Sequence, residues 1–135
     1  MNTWGIREMK RILIIAMIII VSIARPVLAD DEIHRAGATK YCLRGVTATG
    51  RVNTDDTKFT CASKKEYFGK SLAIWIDTGD GKIHPENFIG IYEVTDTGSE
   101  SIKNGSIIDI YEADLQAAKQ FGYKKIIYQV IESEG

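Results

Sequence analysis

The stretch VTDTGSESIKNGSIIDIYEADLQAAKQFG, residues 94–122, sets Asp96 and Asp109 among residues that otherwise read as buried strand. An ionised carboxylate is costly to bury unless it is paired or hydrogen-bonded, so two of them beside apolar strands mean either turn chemistry or a working site. Period-two alternation puts Ile108 and Ile110 on one face and Asp109 on the other with Ile107 and Tyr111, so Asp109 need not enter the core. Asp96 stands where the preceding apolar strand yields to Thr97 and Gly98. The loop then returns through residues 101–105 into the strand of Asp109, so the two carboxylates can meet at one mouth of a barrel. On composition and spacing alone the plainer arrangement is favoured, with Asp96 in an Asx-type turn and Asp109 paired with Lys103.

Working outward, residues 113–121 carry Leu115, Ala118 and Phe121 at helical spacing, with Asp114 near the start and Gly122 where a helix commonly stops. Strand-type runs are expected at residues 38–43, 58–62, 72–76, 88–95, 107–112 and 124–131. The pairs Asp80-Gly81 and Asn104-Gly105 favour the positive φ of tight turns. Six short strands and one short helix predict a mainly β fold closed into a barrel, because closure removes the exposed edges of such strands.

The 135 residues are 44% hydrophobic and 26% charged, with a formal net charge of −1 and a pI near 6.1, which fits one globular domain and excludes a disordered chain. No basic patch stands out, so nucleic acid is not an expected partner. Residues 1–29 differ in kind: Arg7, Lys10 and Arg11 precede an apolar run over residues 12–24, and Val27-Leu28-Ala29 offers a signal-peptidase site. The expected organisation is a signal peptide at residues 1–29, a polar lead-in at 30–37 and the domain at 38–135. The expected protein is then exported, touching membrane only through its N-terminal segment.

Outside the cell a pair of cysteines can persist as a disulfide. Joining Cys42 to Cys61 closes a loop of about 19 residues, a stabilisation on the order of 3 kcal/mol in the chain-entropy model. Two free thiols are the alternative, since sequence alone does not bring their Cα atoms within bridging distance. Two cysteines without a Cys-x-x-Cys pair, and histidines only at positions 34 and 84, do not supply zinc-ligand spacing, so neither metal nor cofactor is expected.

Taken in order, Asp96-Thr97-Gly98, Ile102-Lys103-Asn104-Gly105, Ile108-Asp109-Ile110-Tyr111, Ala117-Ala118 with Phe121-Gly122, and the strand at 124–131 resemble the late motifs of the 3D domain, a family named for three aspartates. Thr47-Ala48-Thr49-Gly50 is similar to the family's early TATG stretch. That family is related to the double-psi β-barrels of MltA-type lytic transglycosylases and RlpA-like proteins. The segment Leu72-Ala-Ile-Trp-Ile-Asp77-Thr-Gly79 stands where the family has its first aspartate but lacks the Pro-Leu-Gly that usually follows.

The resemblance implies a mainly β, six-stranded double-psi β-barrel with one short helix. It implies a monomer whose partner is peptidoglycan, and cleavage of the β-1,4 bond between N-acetylmuramic acid and N-acetylglucosamine, in the transglycosylase form giving 1,6-anhydro products. One carboxyl must hold a proton, and a second nearby would raise its pKa. Asp96 or Asp109 is the implied acid, Asp96 taken first and Asp77 third. Thr47, Thr49, Lys103 and Tyr111 are candidate substrate contacts. The alternative is a wall-bound, expansin-like or RlpA-like barrel that holds glycan without cutting it.

Overall fold

The computed structural model describes residues 32–132; the expected signal peptide lies outside them. Among the described residues eight strands and two α-helices follow one another: β1 (His34–Tyr41), β2 (Gly45–Val46), β3 (Val52–Asn53), β4 (Thr60–Ala62), β5 (Ser71–Ile76), β6 (Phe88–Asp96), α1 (Glu100–Lys103), β7 (Ile107–Tyr111), α2 (Leu115–Phe121) and β8 (Lys124–Ile131). Six of the strands form one mixed sheet that closes on itself in the order β1-β7-β4-β6-β5-β8, while β2 and β3 make a separate hairpin. The pairs β1–β7 and β4–β6 are parallel and the other ladders antiparallel.

Alternate residues of each strand fill the interior. Ala38, Cys61, Leu72, Ile74, Tyr92, Val94, Ile108, Ile110, Ile126, Tyr128 and Val130 form one buried cluster, with Phe121 packed against it. Each fully buried Leu, Ile or Val there contributes about 1.5–3 kcal/mol relative to exposure. Asp114 caps α2 by accepting from the amides of Gln116 and Ala117, and Gly122, at φ 62°, ends it. Gly81 and Gly105 take the positive φ expected at their turns, 70° and 85°.

Several boundaries move. The first strand starts at His34 rather than residue 38, so half of the polar lead-in belongs to the sheet. Its polarity hid it: Ala36 and Ala38 point inward but are small, while Arg35 points out, and His34 stacks on Tyr128 at 4.8 Å. The fourth strand starts at Thr60 rather than 58 because Phe59 stands at φ 60°. Hairpin β2–β3 and the single turn α1 are too short to leave a periodic signature.

The disulfide is corrected. Cys42 and Cys61 are free thiols. Cys61 sits in the core on β4, and β7 runs between β4 and β1, the strand that leads into Cys42. Two strand spacings are about 9.6 Å, beyond the reach of a disulfide. Burial pushes the Cys61 thiol well above its ordinary pKa, so it is inert as a nucleophile. The Cys42 thiol, half-buried, donates to the Ala113 carbonyl at 3.1 Å. Alkylation of the native, unreduced protein should therefore label Cys42 and spare Cys61 until the chain is unfolded. A protein that takes up label only after reduction would contradict this arrangement.

Candidate functional site

Asp96 closes β6 and Asp109 lies mid-strand on β7, and Ala62 on β4 is the register partner of both. The two carboxylates thus flank one small side chain, with Cα atoms two strand spacings, about 9.6 Å, apart. Between Cys61 and Ala62 the β4–β6 register slips by one residue, Cys61 facing Val94 and Ala62 facing Asp96. That bulge, at Thr95, is what brings Asp96 level with Ala62. Both aspartates line one cavity of about 400 Å³ together with Tyr41, Leu43, Ala62, Thr97 and Ile102.

Their surroundings differ. Asp96 Oδ1 accepts from the amides of Ala48 (3.0 Å) and Thr97 (2.9 Å). Asp109 Oδ1 accepts from the Thr39 hydroxyl at 2.9 Å, and burial pushes its carboxyl above the ordinary value despite that opposing hydrogen bond. The pKa rise expected from a neighbouring carboxylate is therefore supplied by burial instead. Tyr41, two residues beyond Thr39 on the same face of β1, lines the cavity too. Burial pushes its phenol up to about 12, with Asp96 and Asp109 adding to the rise against a hydrogen bond from Asn53.

Thr47 and Thr49 belong to the frame of this site. The Thr47 hydroxyl donates to the Arg51 carbonyl (2.7 Å) and that of Thr49 to the Thr95 carbonyl (2.7 Å), so the turn at residues 47–50 is clamped onto the bulge. Gly98 packs closely on Ile102, whose Cδ1 would lie 2.8 Å from a Cβ added there. The hydroxyls of Ser63, Thr95 and Thr97 are buried around Asp96 without a hydrogen-bond partner, positions that a water or ligand hydroxyl would satisfy.

Three candidates lie elsewhere. Lys103 is exposed on α1 and makes no ion pair with Asp109, whose partner is Thr39. Tyr111 is buried, donates to the Thr54 carbonyl at 2.9 Å and packs edge-on against Tyr41, so it has no free face for a sugar. Asp77 follows β5 and lines a different cavity, with Arg35, Gly37, Ser106, Tyr123 and Lys125. Its side chain is only 2% exposed and meets Arg35 Nη2 at 2.9 Å. The Gly79 amide foremost, then Arg35 and the Gly81 amide, hold its carboxyl below the ordinary value against the cost of burial. Asp77 therefore anchors a turn.

Among the described residues no cluster of three His, Cys, Asp or Glu side chains is placed to hold a metal ion. Thr39, Tyr41 and Ala62 are the site residues that the sequence did not single out. Thr39 and Tyr41 could have been found from their alternation with Ala36 and Ala38; Ala62 carried no signal.

The two shifted carboxyls make opposite contributions to stability. Asp77, lowered on folding, stabilises above its unfolded pKa of about 4 and loses this as pH falls through the folded value; Asp109, raised on folding, contributes fully below the unfolded pKa and loses this as pH rises through the folded one. Asp109→Asn should thus melt above the native protein at about pH 7 and level with it at about pH 3. Asp77→Asn should melt on the order of 5 °C below it at neutral pH and converge in acid. Thermal denaturation across this range checks both. An Asp109→Asn protein that melts well below native at neutral pH would make Asp109 a structural residue.

No protein-family model and no curated protein matches the chain. Among solved structures it is similar to the Streptomyces papain inhibitor (SPI), at 14% identity and a TM-score of 0.53, over 78% of this chain and 99% of that one. At that identity the likeness is one of fold.

Proposed function

We propose that the protein is a secreted peptidoglycan-cleaving enzyme on a double-psi β-barrel, a lytic transglycosylase acting on the β-1,4 bond between N-acetylmuramic acid and N-acetylglucosamine. One observation carries this reading: Asp96 and Asp109 line a single cavity on either side of Ala62 and stand in different surroundings. A carboxyl whose protonated form burial favours, with a second, amide-oriented carboxylate across the same cleft, is what acid-assisted cleavage of a glycosidic bond requires. The two parallel pairs within the closed six-stranded order support the double-psi topology.

Asp109, rather than Asp96, is assigned as the acid, because burial favours its protonated form. With Oδ1 engaged by Thr39, Oδ2 is the oxygen left to carry the proton. It protonates the glycosidic oxygen as the bond to C1 breaks. Asp96, oriented by two amides, faces the oxocarbenium-like centre that develops. The muramyl 6-hydroxyl attacks C1 and returns its proton to Asp109, closing the 1,6-anhydro ring and restoring the acid.

A second reading, a barrel that binds wall glycan or another partner without cleaving it, is favoured by the commitment of Asp77 to its turn and of Thr47 and Thr49 to internal hydrogen bonds. The similarity in fold to a protein named as a papain inhibitor supports it too. Mass spectrometry of fragments released from peptidoglycan separates the two. Anhydro-muropeptides should appear with the native protein, fall at least about 100-fold with Asp109→Asn, and decline as pH rises through the raised pKa of Asp109. Fragments with reducing ends would mean a hydrolase; retention on the wall with no fragments would establish the binding module.

A further inference from the structure

The cavity that holds Asp77 lies on the same outer face as the one that holds Asp96 and Asp109. Arg35, Gly37, Thr39 and Tyr41 alternate with the inward Ala36 and Ala38, so all four point out from β1. Arg35 and Gly37 line the Asp77 cavity, Tyr41 lines the Asp109 cavity, and Thr39 binds Asp109 between them. The Gly37–Ile107 pair is two residues along the ladder from the Thr39–Asp109 pair, about 7 Å. The stretch from Arg35 to Tyr41 spans about 20 Å, the length of an extended oligomeric ligand and not of a single sugar.

The far cavity, of about 400 Å³, has a distinct chemistry. Tyr123 is 60% exposed, and its ring fills the space where a side chain at position 37 would begin: a Cβ on Gly37 would meet Tyr123 Cε2 at 2.3 Å. The glycine thus lets an aromatic ring lie against the backbone of β1 with much of its surface open. Beside it, the exposed Lys125 makes no ion pair or hydrogen bond through its ammonium among the described residues. Arg35 is held by Asp77 through Nε and Nη2, which leaves Nη1 unengaged. The charges of Arg35 and Lys125 against the single carboxylate of Asp77 leave the cavity one positive charge in excess.

We infer that this cavity is a second subsite for the same strand, taking a sugar ring on Tyr123 and a carboxylate borne by that strand on Lys125 and Arg35 Nη1. The inference rests on the glycan reading of the Asp96–Asp109 cavity and deepens it: the protein selects carboxylated over neutral amino-sugar polymers. The carboxylate is that of the muramyl lactyl group or of the peptide attached to it.

Binding of three oligosaccharides of equal length to the Asp109→Asn protein, by calorimetry, tests this. They are a neutral N-acetylglucosamine oligomer, an alternating oligomer with free lactyl carboxylates, and the same oligomer with its lactyl groups amide-linked to peptide. One or both carboxylated forms should bind roughly tenfold or more tightly than the neutral one, and which of them does identifies the source of the charge. Adding Lys125→Glu should erase that preference. Gly37→Ala moves Tyr123 through the free end of its side chain, so the fold is kept, and all three affinities should fall. Equal binding of all three, a preference untouched by Lys125→Glu, or affinities untouched by Gly37→Ala, overturns the subsite and leaves the cleavage reading standing. Absence of binding to any oligomer, with no fragments released from peptidoglycan, overturns both.

Discussion

The end of β6 is the joint on which the site depends. Asp96 accepts two amides through its carboxylate, from Ala48 and Thr97, and its backbone carbonyl accepts the amide of Ser63 at 3.0 Å. One residue thereby secures the turn at 47–50, the exit of β4 and the approach to α1. The bulge at Thr95 makes this possible, because without the extra residue Asp96 would lie out of level with Ala62 and its side chain would leave the row shared with Asp109. The same Thr95 carbonyl receives both the amide and the hydroxyl of Thr49, so the bulge is held rather than merely tolerated.

Three aspartates that look alike in sequence occupy three electrostatic settings. Asp77 is buried but supplied with two amides and a guanidinium, which favours its charge. Asp109 is half-buried with a single hydroxyl, which does not offset the loss of solvent. Asp96 sits at a strand end where backbone donors orient it. The count of donors against burial, more than the distance between carboxylates, separates the carboxyl held in its charged form from the one whose protonated form is favoured. Ala62 places one strand between the two site aspartates, and burial and the Thr39 hydroxyl, not Asp96, set the shift at Asp109.

Much of the strand content was legible because inward residues alternate in β5, β7 and β8, and the cap and stop of α2 were legible as Asp114 and Gly122. The first strand was half-hidden, since its inward residues are alanines whose small size gives little hydrophobic contrast. The site was legible in Asp96 and Asp109, which break an apolar pattern. It was not legible in Ala62 or Thr39, whose residue types are ordinary and whose importance comes from neighbours in the sheet. The roles expected for Tyr111 and Lys103 came from motif membership; in the structure one is packed and the other is solvated.

The sequence by itself determined the periodicities, the glycine turns and the exposure of Asp109 away from the core, all of which follow from local backbone geometry. Tertiary structure alone decided that Cys42 and Cys61 stand apart, that Asp77 is an anchor, and that Asp96 and Asp109 share a cavity. Each of these depends on which strands are neighbours, with β7 between β1 and β4, and β4 between β7 and β6. Strand order arises from long-range pairing, which side-chain alternation along one strand does not encode.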